Sequence, residues 1–270
     1  MYKLMGSGGM KELADKLAGF AAKYRREIIV TLALCFICAL PWLINNPAII
    51  GASATKRELP IYCVERDNKS VSLTFDAAWG NEDTELLIEI LGAYNVKATF
   101  FVVGDWVEKY PESVRALYDD GHEIMNHSNK HEHFTRLNAE EIVNNLETSN
   151  EKIRKITGVT PKLFRCPYGE YDDHVISTVN SIDMTTIQWD VDSLDWKEIS
   201  AEEIKERVLS RVNSGSIVLF HNAALHTPEA LPGIIEGLLT EGYEIVPVTE
   251  ILLDGEYTID HTGRQMAVKK

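Results

Sequence analysis

The chain has 270 residues, 45% of them hydrophobic and 25% charged, a balance that excludes wholesale disorder and leaves room for one large domain or two small ones. Forty-one acidic against 27 basic residues give a net charge of −14, which argues against a nucleic-acid partner because phosphate binding needs a basic face. The acidity names no substrate; charge of this kind mainly sets solubility.

Residues 1–27, a GSGG and then KELADKLAGFAAKYRRE, read as a short amphipathic cytosolic segment, and the GSGG follows no strand, so it is no phosphate loop. Residues 28–44, IIVTLALCFICALPWLI, are 17 residues without a charge. They predict a transmembrane helix at the short end of what ~30 Å of hydrocarbon requires, with Trp42 at an interface. Lys23, Arg25 and Arg26 precede it and predict the N-terminus inside. A single-pass protein of the cell membrane with an extracytoplasmic domain follows, or a secreted one if the leader is cut near Ala54 in the A-x-A-like Ala52-Ser53-Ala54. The long leader favours the anchor. Residues 45–69 read as a linker. Cys35 and Cys38 lie in the apolar segment, and Cys63 and Cys166 match no zinc or redox spacing; a disulfide between them would suit an extracytoplasmic domain.

From residue 70 onward, strands are expected at 71–76, 98–103, 122–127, 163–168, 185–190, 216–221 and 243–248. Amphipathic stretches such as TELLIEILGAY and AEEIVNNLETSNEKIRKI separate them. This alternation predicts an α/β fold with a parallel sheet covered on both faces. With no dinucleotide fingerprint after the first strand, a distorted (β/α) barrel of about seven parallel strands over 70–252 is favoured over an open sheet. Residues 253–270 form a C-terminal tail without an assigned element. Trp106 and Trp189 read as packing residues, as does His122; His261 reads as a tail residue, and His226 as a lesser groove candidate.

Chemically competent residues gather where these strands end: Asp76, His127, the 165–168 stretch, Asp190 and His221. Barrel enzymes build their sites at those ends. NHSNKH places His127 and His131 four apart, a spacing at which two imidazoles can meet one ion from a helical turn. RCPYG joins the always-charged Arg165 to a rigid turn, where it could hold a carboxylate ionised. DVDSLDW crowds three acids beside Trp196, and IVLFH ends in His221, a candidate acid whose pKa a neighbouring carboxylate would raise.

In this order TFD, HSxxH, RxPYG, DxxDW and LxH resemble the five motifs of the NodB-homology polysaccharide deacetylases, carbohydrate esterase family 4, over roughly residues 70–250. With the N-terminal anchor, the chain looks most like the membrane-anchored sporulation and cell-wall branch. The resemblance implies removal of N-acetyl groups from peptidoglycan or chitin-like N-acetylhexosamine polymers by a water activated at a divalent metal. Zinc, cobalt or manganese is the implied ion, held weakly. Asp76 matches the base, His127 and His131 the metal ligands, and Arg165 the residue that steadies the base. The backbone N–H of Tyr168 matches the oxyanion donor, His221 the general acid, and Asp195 the carboxylate that tunes it, with Asp192 as fallback. Leu219 would line the acetyl pocket, and Trp196 and Trp79 would contact substrate. The resemblance says nothing of oligomeric state.

The family usually reads TFDD, its second Asp being the third metal ligand; here that residue is Ala77. Alanine cannot coordinate, so a third ligand would have to come from Asp76, Asn81, Glu82 or Asp83. A second departure is Asn222 after His221, where the family often has Asp. These changes leave a reading from another class open, a glycan-binding pseudoenzyme of the cell wall. Against it, Asp76, both histidines, Arg165, Tyr168, Asp195 and His221 all remain.

Overall fold

The computed structural model describes residues 16, 19, 20, 22–44 and 57–268, in two units that divide after Arg57. In the first unit, Arg25–Ile44 is one α-helix of 20 residues. Its described apolar side chains, among them Ile29, Leu34, Phe36 and Ile37, are exposed, while the side chains at 28, 32 and 39–44, Trp42 included, lie outside the described set. Among the described residues no helix is long and apolar enough to cross a membrane. The GSGG, positions 52–54 and the rest of 45–56 also lie outside the described residues.

The second unit is built on one sheet. In chain order its strands are β1 (Cys63–Val64), β2 (Ser70–Ala77), β3 (Thr99–Val102), β4 (Glu123–Asn126), β5 (Leu163–Phe164), β6 (Thr185–Thr186), β7 (Val191–Asp192), β8 (Ser216–His221), β9 (Glu244–Ile245), β10 (Tyr257–Ile259) and β11 (Arg264–Ala267). They lie in the order β10-β11-β1-β8-β2-β3-β4-β5-β6, with β7 also on β8 and β9 on β2. From β8 to β6 every neighbouring pair is parallel. All seven expected strands are present, though β5, β6 and β9 have only two residues each. The far edge curls back: Ile61 bridges Ile187, its N–H donating to the Thr186 carbonyl at 3.0 Å and its carbonyl accepting the Gln188 N–H at 2.7 Å.

Alternation along β2 fixes what each face does. Val71, Leu73 and Phe75 enter the core beneath the helices, with Phe75 stacked between Phe100 at 4.8 Å and Phe220 at 5.4 Å. Ser72, Thr74 and Asp76 therefore take the other face, because successive strand side chains point to opposite sides. A second cluster, with Ile61, Phe101, Ile187, Ile217 and Val248, fills the interior of the curl. The longest helix of this unit, Ala139–Thr157, starts with an Asn138–Glu141 capping box and ends at Gly158 in a left-handed conformation.

Three expectations change. The stretch read as a linker contains β1, and the stretch read as a tail contains β10 and β11, an antiparallel pair in which β11 runs parallel to β1. Both segments are short and carry little periodicity, so only their partners mark them as strands. Cys63 and Cys166 are buried free thiols, not a disulfide.

Candidate active site

Asp76 and His221 are Cα partners on the adjacent strands β2 and β8, at the C-terminal end of the sheet. Each belongs to a charge pair. Arg165, fully buried just beyond β5, donates from Nη1 to Asp76 Oδ1 at 2.8 Å and to Thr74 Oγ1 at 2.8 Å, and from Nη2 to the Gln188 carbonyl at 3.1 Å. Its guanidinium lies 4.1 Å from the centre of the Phe101 ring, a cation–π placement. Burial would raise the pKa of Asp76, but the Arg165 guanidinium, with smaller help from His127 and His221, outweighs it and holds the carboxyl below its usual value of 3.8.

His221 is paired with Asp195, Nδ1 to Oδ1 at 2.8 Å. Asp195 is fully buried; it also accepts the His221 N–H at 2.7 Å, the Trp196 N–H at 2.8 Å and the Thr227 hydroxyl at 2.7 Å. A carboxylate in this position accepts a hydrogen bond from His221 Nδ1–H and leaves Nε2 as the working nitrogen. Burial pulls the imidazole pKa down, and the Asp195 carboxylate more than offsets it, so the net shift is upward.

His127 and His131 complete the group. His127 Nδ1 lies 2.8 Å from the Arg165 carbonyl; a carbonyl can only accept, so Nδ1 carries the proton and Nε2 keeps its lone pair, 3.5 Å from Asp76 Oδ2. The His131 ring packs edge-on at 5.0 Å from it. Burial lowers both pKa values, that of His131 to about 4 with His127 as the next cause, so both rings are neutral at pH 7. The two do not sit on a helical turn. They lie on the loop after β4, which turns through left-handed residues at Ser128 (φ 74°) and His131 (φ 57°). Tyr168 (φ 60°) and Leu194 (φ 59°) share that conformation, so non-glycine strain collects beside the reacting groups.

Asp76, His127, His131, Tyr168, Trp196, Leu219, His221 and Trp79 line one cleft of ≈ 380 Å³, together with Ala78, Gly169, Trp189 and Asp192, a size typical of small-molecule sites. Arg165 and Asp195 stand directly behind it. Every residue matched to a family role is thus in or against one cavity. Trp189, expected only to pack, is a wall of it; Gly169 (φ 68°) lets that ring close in, since a Cβ there would sit 3.1 Å from the indole. Thr227 and Gln188 were invisible beforehand, because a lone Thr or a backbone carbonyl carries no sequence signal. His133 stacks on Tyr168 at 4.3 Å. Asp190 turns away, accepting the Ser216 hydroxyl and the Ile217 N–H. His226 is not in the cleft and sits 3.5 Å from Glu229.

Among the described residues nothing beyond the turn replaces the third metal ligand, and Asp76, the remaining candidate, is bonded to Arg165. Ala77 is 1% exposed among apolar side chains, and Ala78, which does line the cleft, has no donor atom. Asn81 donates to the Ser113 hydroxyl at 2.9 Å and Asp83 accepts the Ala223 N–H at 2.8 Å; neither they nor Glu82 reach the cleft. Among the described residues no group of three His, Cys, Asp or Glu side chains is arranged to hold a metal. Two donors do fit an ion: His127 through its lone pair on Nε2, and His131, whose buried Nδ1 has no hydrogen-bond partner, a state rare for a buried polar atom. Residues 127 and 131 are suited to a metal, and the rest of the expected shell is missing.

A family model for polysaccharide deacetylase matches residues 64–187. The peptidoglycan-N-acetylmuramic acid deacetylase PdaC of Bacillus subtilis is 34% identical over 70% of this chain and 40% of its own length. The peptidoglycan-N-acetylglucosamine deacetylase of Bacillus cereus is 34% identical over 65% of this chain and 66% of its own. The chain therefore spans less than two thirds of these curated relatives. Among solved structures, a CE4-family pseudoenzyme from Bacillus anthracis is 35% identical, with a TM-score of 0.69 over 71% of this chain and 68% of that one. A mutant of that pseudoenzyme is described as having restored enzymatic activity. From motif order, barrel topology and these likenesses, the chain belongs to the NodB-homology polysaccharide deacetylases, carbohydrate esterase family 4.

Proposed function

We propose that the chain removes N-acetyl groups from the N-acetylhexosamine units of a cell-wall polysaccharide, peptidoglycan or chitin-like, with Asp76 as base and His221 as acid. The observation that carries this reading is the register of β2 and β8, which sets the two opposed charge pairs side by side: Asp76 with Arg165, and His221 with Asp195. Amide hydrolysis needs a deprotonated water, a stabilised oxyanion and a proton for an amine that otherwise leaves badly. Asp76, kept ionised by Arg165, takes the proton. His221, charged through Asp195, gives one to the departing nitrogen from Nε2. The Tyr168 N–H is assigned to the oxyanion and Leu219 to the acetyl methyl. His127 and His131 would hold a zinc, cobalt or manganese ion, which when bound lowers the pKa of water and polarises the carbonyl. With two protein donors the ion binds weakly.

One observation favours a second reading. Among the described residues no group of three side chains is arranged to hold a metal, and a relative of similar fold is a pseudoenzyme, so the cleft could hold glycan without turning it over. The test is metal content and acetate release on the full chain with zinc, cobalt and manganese, against peptidoglycan and chitin oligosaccharides. Metal-dependent acetate release that disappears in both His127→Ala and His221→Ala is the expected result. Glycan binding without acetate under every metal would replace the first reading with the second.

We also propose that the 28–44 run anchors the chain in the cell membrane with the deacetylase domain outside. Its lack of charge and the positive residues ahead of it support this. Membrane fractionation and protease access on intact cells test it.

A further inference from the structure

We propose that Asn222 is a positioning residue that fixes Trp79 as a stacking platform for a pyranose ring of the glycan bound in the cleft; this rests on the glycan reading above. Asn222 is buried and spends its whole amide on one turn. Its Oδ1 accepts the Ala78 N–H at 3.2 Å, and its Nδ2 donates to the Trp79 carbonyl at 3.2 Å and to the Gly80 carbonyl. The Gly80 carbonyl also accepts from Trp106 Nε1 at 2.7 Å. Three residues further on, Asp83 takes the Ala223 N–H at 2.8 Å. The segment after β8 thus grips the segment after β2 at 78–80 and again at 83.

The held residue is out of place for folding. Trp79 is 62% exposed, although burial of an indole is strongly favourable. Its ring rests against His131, with centroids 5.0 Å apart, and forms part of the cleft wall. A large apolar face, exposed yet with its backbone already immobilised, suits the apolar face of a pyranose ring, because little freedom remains to be lost on binding. Asparagine is required for this grip. Aspartate at 222 would lose both donors and turn a carboxylate onto two carbonyl oxygens, so the residue after His221 reports what the turn beside Ala77 does.

Binding of a chitin oligosaccharide and of free N-acetylglucosamine to the full chain decides the matter, with the Trp79 signal followed by fluorine NMR in fluorotryptophan-labelled protein. Trp79→Ala is expected to weaken oligosaccharide binding roughly tenfold, while Trp79→Phe retains most of the affinity. Asn222→Asp is expected to broaden the Trp79 signal and to match the Trp79→Ala loss, and the double variant to lose no more than either alone, as expected for one residue acting through another. Asn222→Ala serves the same comparison if Asn222→Asp lowers the melting temperature. Unchanged oligosaccharide binding in Trp79→Ala, or full additivity in the double variant, overturns the assignment alone. A wild-type chain that binds neither sugar overturns the glycan reading as well.

Discussion

Arg165 is the residue on which the cleft depends most. It is fully buried, and among the described residues its partner Asp76 has no other full charge at salt-bridge distance except when His127 is protonated. Removing one member of such a pair strands the other. Arg165→Met is therefore expected to lower stability by about 3–5 kcal/mol, and Arg165→Met with Asp76→Asn by clearly less, as read by denaturant unfolding. His221 makes the pH prediction. Its pKa lies above 6.5 because Asp195 outweighs burial, so the charged pair contributes stability that is complete below pH 6.5 and lost as pH rises through the folded-state pKa. Asp76 has the opposite sign: its pKa lies below 3.8, so its contribution is present above that value and lost as pH falls through the folded-state pKa. In an NMR titration, Asp195→Asn is expected to move the His221 midpoint downward, since burial is then opposed only by the weaker pull of Asp76 and Asp192. These roles were legible as motifs. What the motifs hid is the support behind them, such as the hydroxyl of Thr227 on Asp195, because a single hydrogen-bonding side chain has no pattern to recognise.

At the scale of elements, the residues at the strand ends did most of the predictive work. VSLTFD ends on Asp76, and the structure divides the run into a core face of Val71, Leu73 and Phe75 and a cleft face ending on that residue. Phe75→Ala is expected to cost about 3–5 kcal/mol in unfolding free energy, since the ring is stacked on two neighbours, Phe100 and Phe220. A loss under 1 kcal/mol would mean that the stack relaxes around the gap. The histidine loop shows where periodicity misleads. Four-residue spacing suggests a helical turn, but left-handed residues at 128 and 131 bring the two rings together without one, and backbone sign is not written in side-chain pattern.

Across the whole molecule, the seven expected strands and their parallel order were legible because each is apolar, bounded and followed by an amphipathic helix. The closing strands were not, since two residues of β1 have no period of their own. Anchoring is the prediction at this scale: the chain is expected in the membrane fraction after a high-salt wash, with its second unit cut by protease added outside intact cells. Recovery in the soluble fraction without cleavage of the leader would remove the anchor.

The pairing of β1 with β11 has a consequence for synthesis. Cys63 and Val64 are held by Arg264 and Gln265, so the strand nearest the start of the domain waits for residues synthesised far later in the chain. During vectorial synthesis β1 can dock on β8, but its outer edge stays open until β11 has left the ribosome. An open edge is where strands from separate chains join. The nascent protein is then most prone to aggregate in the interval between completing its catalytic cleft and sealing that last seam.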